Sequence, residues 1–253
     1  MTNNSDDKFF FARLADMVSQ CERNTISIFS DFLDERQSAQ AEEWCSRNAG
    51  GLLYKLWGGY EGAGRKMLAI YPDFYADYIM EDFPFQCITF TYRKEDKLTH
   101  RDFLGTLMGM KFKRDTIGDI IVGEGITQVF VTEIAARLIV ATVSKIGRTG
   151  VKCSDEKPFE MEVRQEFRTV SGTVASLRLD CIVSLATGLS REKSAVLIRS
   201  EKVEINHFIT ESISVEVNSG DIISVRGYGK FLLSEVGGNT RKNRIHIIIK
   251  KFV

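Results

Sequence analysis

No stretch of this 253-residue chain approaches the roughly 18 consecutive apolar residues that a membrane-spanning helix needs, so no membrane insertion is expected. The amino terminus, MTNNSDDKFFFARLADMVSQCERN, places acids before a short apolar patch and has no basic stretch leading into a continuous apolar core. No export signal is expected, and the cytoplasm is the expected location. Five cysteines, at positions 21, 45, 87, 153 and 181, are odd in number, scattered and never at metal-ligand spacing. They define neither a disulfide framework nor a zinc site and fit a reducing compartment. The three histidines, His100, His207 and His246, lie far apart without a second ligand at helical or turn spacing.

Catalytic signatures are equally sparse. No serine sits in a G-x-S-x-G elbow, and no cysteine has a nucleophile context. The glycine-rich segment GGLLYKLWGGYEGAGRKMLAIYPDF lacks the Lys-Ser/Thr pair of a phosphate-binding loop and reads as a tight loop packed by Trp57 and Tyr60. His100 beside Asp102 in THRDF reads as the start of a helix, and Asp119 with Glu124 reads as turn chemistry rather than an acid pair. No catalytic residue, metal or cofactor is expected, and the chain is not expected to be an enzyme.

Net charge is also absent, with 34 basic and 34 acidic residues, but the balance changes along the chain. Lys and Arg against Asp and Glu number 8 and 14 in residues 1–82, 14 and 12 in 83–175, and 12 and 8 in 176–253. A polyanion is therefore expected to meet the C-terminal end.

The periodicities predict an α+β protein in three parts. Residues 1–82 read as mainly helical, with Phe11, Leu14, Ala15 and Val18 on one face. Residues 83–175 follow a β-α-β-β-α-β order, from the strand FPFQCITFTYR to the strand FEMEVRQEFRTVSG, as in an RRM-like split βαβ sandwich. Its central strands, DIIVGEG and QVFVTEI, offer one phenylalanine between them, which argues against base stacking on that sheet. Residues 176–253 read as two helices on a small bent sheet. Gly188 ends the first helix, Ser190 caps the second, Ile213, Val215 and Val217 alternate, and Ile245, Ile247 and Ile249 share a face.

Within that last part Arg191 and Arg199 are expected to lean to one side of the second helix, with Lys202 just beyond its end. The segment GGNTRKNRIHIIIKK adds Arg241, Lys242, Arg244, Lys250 and Lys251 without an acid. Such a layout suits a phosphate backbone, and a solvated helix face is the plainer alternative.

The stretch RLDCIVSLATGLSREKSAVLIRSEKVEIN, continuing through VEVNSGDIISVRG, resembles the alpha-L RNA-binding motif, or S-four domain. Arg178, Leu179, Asp180, Gly188, Ser190, Arg191, Ala195, Leu197, Ile198, Val203, Asn206, Gly220, Asp221 and Ile223 match its order and spacing. Glu201 and His207 stand where the motif commonly has glycine. Together with FSDFLDERQ, GGYEGAGRKML, LTHRDFLGTLMGMKFKRDTIGDIIV and SVRGYGKFLLSEVGGNTRKNRIHI, the whole chain resembles the bacterial YlmH-like family. That resemblance implies a non-catalytic RNA-binding protein on ribosomal RNA of the large subunit, acting in translation quality control or rescue of subunits that hold peptidyl-tRNA. It implies that Ser190, Arg191, Lys193, Arg199 and Lys202 face RNA, with Arg178, Lys230, Arg241, Lys242 and Arg244 completing the candidate surface. The alternatives are a cell-division interaction protein, with a division-protein partner, and an RNA-modifying enzyme of the pseudouridine synthase type.

Overall fold

A computed structural model describes residues 4–155, 158–161, 163, 166–240 and 242–252. The chain mixes helix and strand in an α+β arrangement and divides into two compact units, residues 1–163 and 164–253.

The first unit opens with α1 (Asn4–Asn24), β1 (Ile28–Phe29), α2 (Glu35–Asn48), β2 (Leu53–Trp57) and β3 (Met67–Tyr71). Asp34 and Gln37 close a capping box that starts α2. The three strands pair in the antiparallel order β1-β3-β2. The glycine-rich stretch is therefore not only a loop: Leu53–Trp57 pairs in register with Met67–Tyr71, and the glycines at 58, 59, 62 and 64 make the connection. Next come β4 (Phe85–Thr91), α3 (His100–Gly109), β5 (Ile117–Val122), β6 (Ile126–Thr132), α4 (Glu133–Thr142), a short hairpin of β7 (Lys145–Ile146) and β8 (Thr149–Gly150), and β9 (Lys152–Ser154). Their four-stranded sheet has the order β5-β6-β4-β9, the split βαβ arrangement.

Layering follows from which side chains alternate inward. Ile88, Phe90, Ile117, Ile120, Val129 and Val131 face α3 and α4, packing on Phe103, Leu107, Ala136 and Ile139. The opposite face of the same sheet carries Phe85, Cys87 and Phe130 and is covered by Phe32, Met67, Ala69 and Tyr71 from the N-terminal segment. Leu68 and Ile70, on the other side of β3, bury against Leu14, Met17, Cys21 and Ala41 of α1 and α2. β3 is thus buried on both faces, which is why it reads MLAIY without a polar residue. Unit one is a stack of helices, sheet, sheet and helices.

Polar contacts lock the two sheets together. The Asp119 carboxylate on β5 accepts hydrogen bonds from the Tyr60 hydroxyl at 2.7 Å and from the backbone N–H groups of Gly64 and Arg65 at 2.7 and 3.0 Å. The Arg65 guanidinium donates to the carbonyls of Ile117 and Phe32, both at 2.9 Å. Burial and the neighbouring carboxylate push the Tyr60 hydroxyl well above its usual range, so it stays a donor. Asp119 is thereby a structural acceptor, and Asp102 closes a capping box with Thr99 at the start of α3. Gln128 straps residues 158–161 across the sheet by donating to the Pro158 carbonyl and accepting from Glu160 and Met161.

The second unit contains β10 (Phe167–Val174), α5 (Leu179–Thr187), α6 (Arg191–Arg199), β11 (Val203–Ile205), β12 (Phe208–Ile209), β13 (Ile222–Val225), β14 (Gly229–Asn239) and β15 (Ile245–Phe252). They form one antiparallel sheet in the order β10-β15-β14-β13-β11-β12. Two expectations need correction. The segment FEMEVRQEFRTVSG does not end the middle sheet; Phe167–Val174 pairs along its whole length with β15, and the fourth middle strand is Lys152–Ser154. Val170 and Val174 find their apolar partners in the core that holds Ile247 and Ile249, which decides the pairing. The alternation of Ile213, Val215 and Val217 does not make a ladder strand either. The carbonyls of Ile213 and Val215 accept the N–H groups of Asp180 and Leu179, so this segment satisfies the start of α5 instead.

Gly59 has a φ of +98° and a Cβ there would lie 2.1 Å from the Phe130 ring. Overpacking and left-handed strain add, so Gly59→Ala is expected to destabilise unit one by about 3 kcal/mol, read as a lowered denaturation midpoint. An unchanged midpoint would show that the two sheets are not held this closely.

Candidate nucleic-acid interface

The site is built on the turn between α5 and α6. Gly188, with φ +72°, ends α5 in the left-handed conformation, and the Ser190 side chain accepts the Lys193 N–H to cap α6. Leu179, Ile182, Val183 and Ile198 bury against Val203, Ile223, Phe231 and Leu233, which fixes both helices on the sheet.

One buried carboxylate organises the cations. Asp180, in the first turn of α5, has only 5% of its side chain exposed. Its Oδ1 accepts Nε of Arg178 at 3.2 Å and the Cys181 N–H at 3.0 Å, while Oδ2 accepts Nη2 and Nε of Arg191 at 2.6 and 3.2 Å. Burial alone would raise this carboxyl, but the hydrogen bonds from Arg191 and Arg178 outweigh it and hold the group below the ordinary range. The Arg191 side chain is 55% exposed and that of Arg178 is 41% exposed. Both are therefore oriented by Asp180, which takes up only part of each donor fork.

Arg191 lines a cleft of about 330 Å³ with Thr173, Ser184, Gly188, Leu189 and Arg244. Arg244 is itself fixed, donating to the Thr173 hydroxyl at 3.0 Å and to the Thr173 carbonyl at 2.6 Å. Two arginines held by other groups thus flank one opening beside the N-terminal turn of α6, whose first N–H groups and dipole favour an anion.

The remaining candidates are distributed. Lys193, Arg199 and Lys202 are exposed and, among the described residues, have no side-chain partner. Arg199 closes α6 at the end away from Arg191, about 12 Å along the axis. Arg226, which the sequence reading passed over, joins that end: its N–H donates to the Lys202 carbonyl at 2.9 Å, and its side chain is exposed. The signal was the basic turn SVRGYGK. Lys230 lies on β14 with its ammonium 5.2 Å from the centre of the Phe252 ring. Lys242 is exposed in the β14–β15 connection, and Arg241 lies outside the described residues. Arg191 differs from these cations in being held by Asp180, so its replacement also removes a partner of a buried carboxylate.

The departures from the motif have a backbone cost. Glu201 has φ +56° and His207 φ +71°, both in the left-handed region where glycine is unstrained. Asn206, also left-handed at +48°, fits better: its side chain donates to Asp221 and accepts the Ile222 N–H, both at 2.9 Å. These bonds explain why an Asn and a Gly-Asp pair fall 15 residues apart.

Residues 79–160, the span from just before β4 to just beyond β9, match the family described as "Putative RNA-binding domain in YlmH". Over that span the chain is similar to the YlmH family. It is 29% identical over 232 residues to "Ribosome-associated protein quality control protein P2" of Bacillus subtilis (strain 168), covering 88% of this chain and 86% of that one. The solved structure of "Cell division protein ylmH from Streptococcus pneumoniae" shares the fold with a TM-score of 0.51 at 21% identity, over 62% of this chain and 94% of that one.

Because the folded value of Asp180 is depressed, the clamp contributes stability above the unfolded carboxylate value, near 3.9, and that contribution is lost as pH falls through the folded value. Asp180→Asn should cost about 2 kcal/mol at pH 7, and the difference from the native chain should shrink as pH falls through that window. Thermal melts across a pH series check this; a difference independent of pH would show that the charge of Asp180 is not what matters.

Proposed function

We propose that this YlmH-like chain is a non-catalytic RNA-binding protein of the large ribosomal subunit that acts in translation quality control. The observation that carries the reading is the buried Asp180 holding Arg178 and Arg191 half exposed beside the α6 turn. A buried acid that orients two guanidinium groups toward solvent builds a surface for phosphate, because each cation is positioned before an anion arrives. Lys193, Arg199, Lys202 and Arg226 would extend the contact along the unit, and Arg244 would act at the cleft. The relative named for ribosome-associated quality control matches nearly the whole chain, which supports the same role.

On this reading the substrate is folded rRNA, recognised by shape and phosphate position, with peptidyl-tRNA on a stalled large subunit as the neighbouring ligand. The middle sheet plays no part in base stacking, since its aromatic face is packed against the N-terminal strands. The S. pneumoniae neighbour bears a division name, but at 21% identity that likeness concerns fold.

Sedimentation with separated ribosomal subunits across a salt series tests the proposal. Binding should favour large subunits, rise further on subunits that carry peptidyl-tRNA, and weaken steeply with salt. The triple variant Lys193→Glu, Arg199→Glu and Lys202→Glu, which spares the clamp, should bind at least ten-fold more weakly with an unchanged melting curve. Native affinity in the triple variant would overturn the assignment of this surface.

A further inference from the structure

Between Lys66 and Arg93 the chain contains no Lys, Arg or His, yet Asp73, Asp77, Glu81 and Asp82 fall in this window. Residues 73–82 form a run of tight helical turns after β3: Asp73–Tyr75 is a 3-10 turn, and N–H groups of Ala76, Tyr78, Ile79, Glu81 and Asp82 continue the hydrogen bonding. Ile79, at 2% exposure, and Phe83, at 6%, anchor these turns in the core between the two sheets of unit one. The outer side is nevertheless apolar. Phe74 is 59% exposed, Tyr78 63% and Met80 41%, and the Phe74 ring lies 4.8 Å from that of Tyr75, which packs against the same core. The four carboxylates are exposed around this patch and, among the described residues, none has a side-chain partner.

Two properties are combined here that the fold does not require. Anchoring needs only Ile79 and Phe83, so Phe74, Tyr78 and Met80 could be polar without loss of core. A fixed apolar patch with a charged rim marks a binding surface, and the sign of the rim selects the occupant. Four unneutralised carboxylates repel phosphate, so RNA is excluded here, whereas the exposed ring faces attract the guanidinium and ammonium groups that the carboxylates also favour. We propose that residues 73–82 dock a Lys- and Arg-rich segment of another protein, with Phe74 and Tyr78 receiving its cations and apolar stems. The surface lies on the first unit, whereas the RNA contact proposed above lies on the second, so either reading can fail without the other.

The test uses the full chain and a fluorescein-labelled twelve-residue peptide of Arg-Lys-Gly repeats, followed by anisotropy. Phe74→Ala with Tyr78→Ala, and separately Asp73→Asn with Asp77→Asn and Glu81→Gln, should each weaken binding at least ten-fold with native melting curves. Undiminished binding by the aromatic variant would reduce the feature to bulk charge attraction and overturn the proposal, as would no binding by the native chain. Sedimentation velocity supplies the other arm: self-association abolished by the aromatic variant would assign the patch to a second copy of this chain, and tight binding of a single-stranded RNA lost in the same variant would assign it to nucleic acid. Either result overturns the proposal.

Discussion

The buried Asp180 carboxylate is the contact on which the second unit's surface depends. A carboxylate with 5% exposure would be costly alone, and it is stable there because Arg178, Arg191 and the Cys181 N–H satisfy it. The reverse dependence matters as much. Arginine side chains carry large rotamer entropy, and tying two of them to one internal acceptor removes that entropy during folding rather than during binding. The start of α5, the N-terminal turn of α6 and the cleft shared with Arg244 are all referenced to this one side chain.

Unit one follows a different logic. Its organising constraint is that the four-stranded sheet has two apolar faces, one for α3 and α4 and one for the N-terminal strands. An RRM-like sheet that binds RNA through its open face needs that face bare and aromatic. Here the aromatic residues on it, Phe85 and Phe130, contact Phe32, Tyr60 and Phe159 instead. The same side-chain chemistry serves cohesion within the unit.

Much of this was legible in the residues. Helical period, Gly188 and Ser190 placed the α5–α6 turn, because local backbone rules decide caps and left-handed ends. The order of the middle strands was also readable up to β6. What failed was long-range pairing: Phe167–Val174 has the composition of a strand but nothing local says that its partner is 71 to 85 residues away at the C-terminal end. β2 and β3 were obscured by the glycines between them, and β3 lacks the alternation that marks a half-buried strand because both of its faces are covered. In the site, the cationic residue types were visible, whereas the distinction between a cation held by Asp180 and one left in solvent required knowing that Asp180 points inward.

The covering of the middle sheet also bears on what counts as a module in this chain. The segment that a family description recognises, residues 79–160, begins in the acidic turns and excludes Phe32, Met67, Ala69 and Tyr71. Cut out on those limits, it would carry Phe85 and Phe130 on a bare apolar sheet and would lose the Tyr60, Gly64 and Arg65 partners of Asp119. The matched span is therefore smaller than the packed layer structure that covers its apolar sheet face. A fragment that keeps this sheet face dry has to include the N-terminal strands that cover it.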